Sequence, residues 1–140
     1  MMSQEDFQRK AGFDLHGFIK RCKSEMGVGK VRVMFDNPSA QAMSRYSGEV
    51  LEVHLADVDM IMRQRPELSR EEAVAKIKAA TCEELAHGFY HQTNHDEQVV
   101  GATLGCMTRN MSQQELGTPY IQTKIQRLQA ASSPVAGETL

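Results

Sequence analysis

Tryptophan is absent from this 140-residue chain, and Phe and Tyr together make up only 6% of it. A core so short of aromatics must be filled by other apolar side chains, and nine Met supply adaptable ones. No apolar run approaches the ~18–20 residues that a membrane-spanning helix needs. Charge of either sign is not in excess: 16 basic against 18 acidic residues leave a formal −2. That balance excludes the electrostatic footprint expected of a nucleic-acid binder or of a protein that docks on an anionic membrane. Cysteine is scarce as well. Cys22, Cys82 and Cys106 are odd in number and lack the paired spacing of a metal knuckle, so reduced thiols in a reducing compartment are expected. The first residues, Met1-Met2-Ser3-Gln4-Glu5-Asp6, are polar and acidic, unlike a secretory signal. The expectation is a protein that is not secreted, cytoplasmic or held within an assembled particle.

What is present is ordinary for a folded domain: 41% hydrophobic and 24% charged residues, in a length that suits one domain with a real core. Ser3 and Asp6 signal a helix start, and Phe7, Ala11, Leu15, Phe18, Ile19, Cys22 and Met26 continue a helical stripe. One helix over roughly 4–26 is predicted, with Gly12 and Gly17 as weak points and Gly27 and Gly29 ending it. Val31–Phe35 and Val50–Leu55 read as strands, with turns at 36–39 and at Ser47-Gly48. Residues 40–46 fit a short helical turn or an edge strand. Asp57 caps a short helix of roughly 58–64, stopped by Pro66.

Ser69-Arg70-Glu71-Glu72 is a capping box that opens the longest helix, roughly 70–92. Val74, Ile77, Thr81, Leu85 and Gly88 share one face of it, the expected core side, with Glu84, Ala80, His87 and His91 beside that stripe and Glu83 further out. Asn94 with Glu97 marks the start of another helix, roughly 95–108, and Ser112 opens a further turn. Thr118-Pro119 begins a last helix whose Ile121, Ile125 and Leu128 would pack on the domain's own core or on a partner. Residues 131–140 read as a polar tail. The predicted class is α+β, with two or three strands on a long helix and further helices at both ends, forming one domain over 1–130.

The chemistry concentrates in Cys82-Glu83-Glu84-Leu85-Ala86-His87-Gly88-Phe89-Tyr90-His91 and the following Asn94-His95-Asp96-Glu97. A helix rises about 1.5 Å per residue, so residues four apart can share one ion while residues eight apart are ~12 Å distant. Glu83, His87 and His91 cannot all hold the same ion unless the helix breaks. Two pairs are open, Glu83 with His87 or His87 with His91. A third ligand must then come from His95, Asp96 or Glu97 beyond the Thr93-Asn94 turn. Imidazole and carboxylate donors suit zinc, and three such ligands plus a water make the catalytic arrangement. Glu84 would be the general base. The plain alternative is a solvated helix face with Glu–His pairs four residues apart. His16 and His54 read as ordinary surface or half-buried histidines, and Cys82 as a small buried residue rather than a nucleophile.

The run Glu83-Glu84-x-x-His87, with the order of elements around it, resembles the His-Glu-x-x-His helix of zincin-type metallopeptidases. The resemblance covers about residues 30–107. It implies that His87 matches the second His, Glu84 the general base and Glu97 the third ligand of gluzincin members, whereas Glu83 replaces the first His. The Glu-Glu-Leu-Ala-His run and the later Asn94-His95-Asp96 are also similar to little-characterised zincin-like bacterial proteins presumed degenerate. A site of Glu83, His87 and Glu97 would cancel both charges of a divalent ion and raise the pKa of its bound water, which disfavours hydrolysis. Two readings follow. The favoured one is a non-catalytic zincin-like domain, with zinc as the metal it could retain, that serves as a structural or interaction subunit among protein partners or copies of itself, as in a phage particle. The other is an intracellular zinc metallopeptidase acting on peptides through Glu84.

Overall fold

The computed structural model describes residues 2–36, 43–47 and 49–132, with the backbone alone for 43–47. The elements are α1 (Gln4–Ala11), α2 (Leu15–Met26), β1 (Lys30–Met34), β2 (Met43–Ser47), β3 (Val50–His54), α3 (Val58–Gln64), α4 (Arg70–Tyr90), α5 (Glu97–Asn110), α6 (Gln113–Leu116) and α7 (Pro119–Ser132). The class is α+β, as expected.

The single N-terminal helix is corrected to two. Gly12 takes φ +88°, a left-handed cap whose N–H reaches back to the Gln8 carbonyl, and Asp14 restarts the chain by accepting the Gly17 N–H at 3.0 Å. Gly12 was a real break, while Gly17 sits harmlessly in the first turn of α2. The sheet has the order β1-β3-β2, with β1 parallel and β2 antiparallel to β3. Met43–Ser47 is therefore the edge strand that residues 40–46 left open, residues 40–42 lying outside the described residues together with most of the 36–39 turn and Gly48. Being central, β3 buries Leu51, Glu52 and Val53 in succession. That explains why its sequence does not alternate cleanly.

The capping box of α4 is complete in both directions: the Glu72 N–H donates to Ser69 Oγ at 3.1 Å, and the Ser69 N–H to Glu72 Oε1 at 3.2 Å. On the expected core face Ile77, Thr81, Leu85 and Gly88 are buried and Val74 is half-buried. Burial extends well beyond that face, to Ala73, Ala75, Ala79, Cys82 and Ala86, because the sheet, α2, α3, α5 and α7 all pack on this helix. An enclosed helix needs small side chains where neighbours come closest, and alanines occupy those positions. Gly88 is the extreme case: a Cβ there would lie 2.7 Å from Leu51 Cδ2 on β3. Thr81 satisfies its buried hydroxyl by donating to the Ile77 carbonyl at 2.8 Å.

Ser112 and Glu115 form a second complete capping box ahead of α7. Ile121 and Leu128 are buried, and Ile121 with the half-buried Ile125 packs on the same core as the rest of the chain, so the last helix covers its own domain. It runs on through Ser132, and residues 133–140 of the expected tail lie outside the described residues. Among the described residues no helix is long and apolar enough to cross a membrane. Because α4 and β3 are in contact through Gly88, Gly88→Val is expected to destabilise the protein by at least ~2 kcal/mol through overpacking. A urea midpoint unchanged from the natural chain would show that this close approach is not needed.

Candidate metal centre

The last two turns of α4 carry Glu83 and His87, four residues apart and therefore on one face. The helix then stops abruptly. His91 adopts φ +52°, ψ 42°, the left-handed cap conformation, and the Gln92 N–H donates to the His87 carbonyl at 3.1 Å. This reversal also turns the Gln92 carbonyl onto His87 Nδ1 at 3.0 Å. A carbonyl only accepts, so Nδ1 carries the proton and Nε2 holds the lone pair. That Nε2 lies 3.9 Å from Glu83 Oε2.

The next helix starts later than its sequence suggests. Asp96, not Asn94, is the cap, accepting the Val99 N–H at 2.9 Å, so α5 begins at Glu97. A carboxylate at this position gains from the helix dipole as well as from the hydrogen bond. Residues 91–96 are thereby left as a loop, and His95 folds back onto α4. Its Nε2 lies 2.5 Å from Glu83 Oε2, and its ring sits 4.8 Å from that of His87 at 67°. One donor atom from each of Glu83, His87 and His95 lies within 4.8 Å of the others.

Of the residues singled out in sequence, Glu83 and His87 come together, and His95 supplies the third donor from among the three candidates beyond the turn. His91 does not join them: it is exposed at the cap, because α4 ends before another turn can carry it alongside His87. Glu97 is exposed in the first turn of α5 and also lies outside the group. Glu84 is 6% exposed and is not one of the three donors. His16 is exposed, and the half-buried His54 pairs with Asp36 at 2.8 Å, away from this group. Replacing Glu97 by His95 alters the charge balance. One carboxylate and two neutral imidazoles leave a divalent ion with net positive charge, so the neutralisation that disfavoured hydrolysis does not arise.

Lys124 was not foreseen. It reaches in from α7 and donates to Glu83 Oε1 at 2.7 Å, so that Glu83, expected on the outer side of the helix, is covered. The only hint in the sequence is its position between Ile121 and Leu128, at the flank of the apolar stripe of α7. Burial pushes the Glu83 pKa up, but Lys124 and His95 outweigh it and hold the carboxyl below its ordinary range. Burial pushes His87 down, helped by His95 and Lys124 and opposed by Glu83. At neutral pH both groups are in the states that ligate a metal, carboxylate and neutral imidazole. A cleft of about 550 Å³ opens beside Glu83, His95 and Lys124, walled further by Arg65, Tyr120 and Arg127. Neither Glu84 nor His87 lines it.

A second group lies deeper. Cys22 of α2, Cys82 of α4 and Cys106 of α5 are free thiols and all fully buried. Their sulfurs are 4.0 Å (Cys22–Cys82), 2.7 Å (Cys82–Cys106) and 2.7 Å (Cys106–Cys22) apart. Cys82 is the small buried residue expected, and burial pushes its thiol well above the usual range. The cysteines have no metal-type spacing along the chain, but the fold creates a cluster from them. Among the described residues there are thus two groups that could bind a metal ion, one of nitrogen and oxygen donors and one of sulfur.

Lys124→Met should leave the Glu83 carboxylate buried without its cation and lower stability at pH 7 by about 1–3 kcal/mol. Since the folded pKa of Glu83 lies below its ordinary 4.5, the contribution of the pair is full above that value and fades as pH falls through the folded one. The gap between the two proteins in chemical denaturation should therefore close in acid. His87, depressed from 6.5, adds a loss of stability as pH drops below that figure, because the unfolded chain takes up its proton first. A constant gap from pH 7 to pH 3 would contradict the role given to Lys124. In comparisons with family models, with curated proteins and with solved structures, the chain has no match.

Proposed function

We propose that this chain is a zincin-like domain that holds a divalent ion of the zinc class on Glu83, His87 and His95, and that it serves as a non-catalytic structural or interaction subunit. The observation that carries the metal reading is the hydrogen bond from His87 Nδ1 to the Gln92 carbonyl. A ligating imidazole is characteristically fixed in this way through its other nitrogen. Ligand atoms around a tetrahedral zinc stand about 3.3 Å apart, a spacing bracketed by the 2.5 Å and 3.9 Å separations at Glu83 Oε2. In this role the ion would tie the 91–96 loop to α4. Partners would be proteins or further copies of the chain, and a phage particle is one such setting.

Binding is favoured over turnover by what surrounds the group. A general base has to reach the attacking water, yet Glu84 is buried and takes no part in the wall of the cleft. Lys124 meanwhile holds one oxygen of Glu83 and draws electron density from it. The second reading, a zinc-dependent peptidase with Glu84 as base, is favoured by the donor set of one carboxylate and two imidazoles and by the adjoining cleft, which has the size of a small-ligand site.

Elemental analysis of the purified protein should find one zinc-class ion per chain, with affinity at least ~100-fold weaker in His87→Ala. Absence of metal from both proteins after zinc is supplied would remove the metal reading. Metal-loaded protein should leave peptide substrates intact. Hydrolysis that disappears in Glu84→Gln while the metal stays bound would overturn the non-catalytic reading in favour of the peptidase.

A further inference from the structure

We propose that Cys22, Cys82 and Cys106 form a buried three-thiolate site for a trivalent thiophilic ion of the arsenic(III) and antimony(III) class. The chain has three cysteines, and all three meet at one point, from three different helices and across 24, 60 and 84 residues of sequence. All three side chains are fully buried, and their sulfurs lie within 4.0 Å of one another, close enough for a single atom to touch all three. A disulfide can join Cys106 to only one neighbour and would always strand the third thiol, so the full constellation is better matched by one atom that bonds all three.

Charge and coordination number select the class of ion. Sulfur donors exclude hard cations. Zinc takes four ligands; among the described residues no carboxylate or imidazole joins this group as a fourth, and its full burial leaves no open side for the water that completes a three-ligand site. Three thiolates would also leave a divalent ion at net −1 and copper(I) at −2 in a fully buried site, a large desolvation cost without a counter-charge. Among the described residues, Arg109 is a cation that feels the cluster, but it is already paired with Glu25 at 2.9 Å, and Asn110 offers only an amide donor 3.7 Å from the Cys106 sulfur. A trivalent ion makes the unit neutral, and its lone pair occupies the fourth direction.

Geometry accommodates the same ion. With bonds near 2.3 Å, sulfurs stand about 4.0 Å apart around a planar ion and about 3.8 Å around a tetrahedral one. The near-right-angle bonds of a pyramidal ion bring them to about 3.3 Å; the observed separations, up to 4.0 Å, admit each of these, so charge decides among the ions. The reaction is balanced without any redox partner. Arsenous acid, As(OH)₃, exchanges three As–O bonds for three As–S bonds, and each departing hydroxide leaves as water with one thiol proton. Neutral reactants give a neutral product. Loading requires α2 or α5 to open, since no sulfur is exposed, and the product staples α2 and α5 to α4.

The test uses the full chain, reduced and oxygen-free, with EDTA present to keep divalent ions away, refolded from urea with or without sodium arsenite. One arsenic per chain should survive desalting, and X-ray absorption at the arsenic edge should show three sulfur neighbours. Cys106→Ser and Cys22→Ala, checked for helix content by circular dichroism, should each bind arsenic at least ~100-fold more weakly, while zinc binding at the histidine group, measured separately without EDTA, is unchanged in both. No retained arsenic after refolding, two sulfur neighbours instead of three, or equal binding by the variants would overturn the proposal. Should both variants fail to fold, the sulfur count on the unaltered chain decides.

Discussion

The enclosure of α4 is the constraint on which the rest of the structure depends. A helix exposed on one side can tolerate large residues on the buried face alone, but this one meets the sheet, α2, α3, α5 and α7 around most of its circumference. Alanines at 73, 75, 79 and 86 and glycine at 88 let those neighbours approach, and Gly88 against Leu51 sets how closely the helix lies on the central strand. Dense packing leaves little room for adjustment. Polar side chains on such a helix must find partners inside the protein, and both donor groups draw on it, at Cys82 and at Glu83 with His87.

The end of α4 is equally consequential. One left-handed residue, His91, breaks the helix and hands the Gln92 carbonyl to His87. The late start of α5 at an Asp96 cap leaves enough slack for His95 to reach Glu83. These are local backbone events of modest energy, on the scale of about 1 kcal/mol for a cap. They nonetheless decide which of four nearby histidines and carboxylates become neighbours. Lys124 completes the arrangement from the far end of the chain, keeping Glu83 ionised though covered.

The two donor groups differ in kind because their surroundings differ. Glu83 and His95 line a cleft into which Lys124, Arg65 and Arg127 also reach, with His87 beside Glu83, so a charged carboxylate is stabilised there by an ammonium. The three thiols sit among α2, α4 and α5, where only an uncharged product is cheap to hold. Adjacent residues of one helix, Cys82 and Glu83, thus serve opposite environments, as a 100° step around an enclosed helix requires.

Periodicity, caps and breakers in the sequence by themselves determined the α+β class, the capping boxes at Ser69 and Ser112, the Asp57 cap, strands β1 and β3, and the core face of α4. They also placed Glu83 and His87 on one face, because four residues along a helix is a local rule of geometry. Local signals were misleading where two solutions compete at similar cost, as at Gly12, at the Asn94 or Asp96 cap, and at the last turn of α4. Only the tertiary structure decided that His95 rather than His91 or Glu97 joins the pair, that Lys124 covers Glu83, and that three cysteines without any motif spacing converge. Such contacts join positions 12 to 84 residues apart, and no short-range pattern encodes them. They follow from how helices dock around an enclosed centre, which is a property of the packed whole.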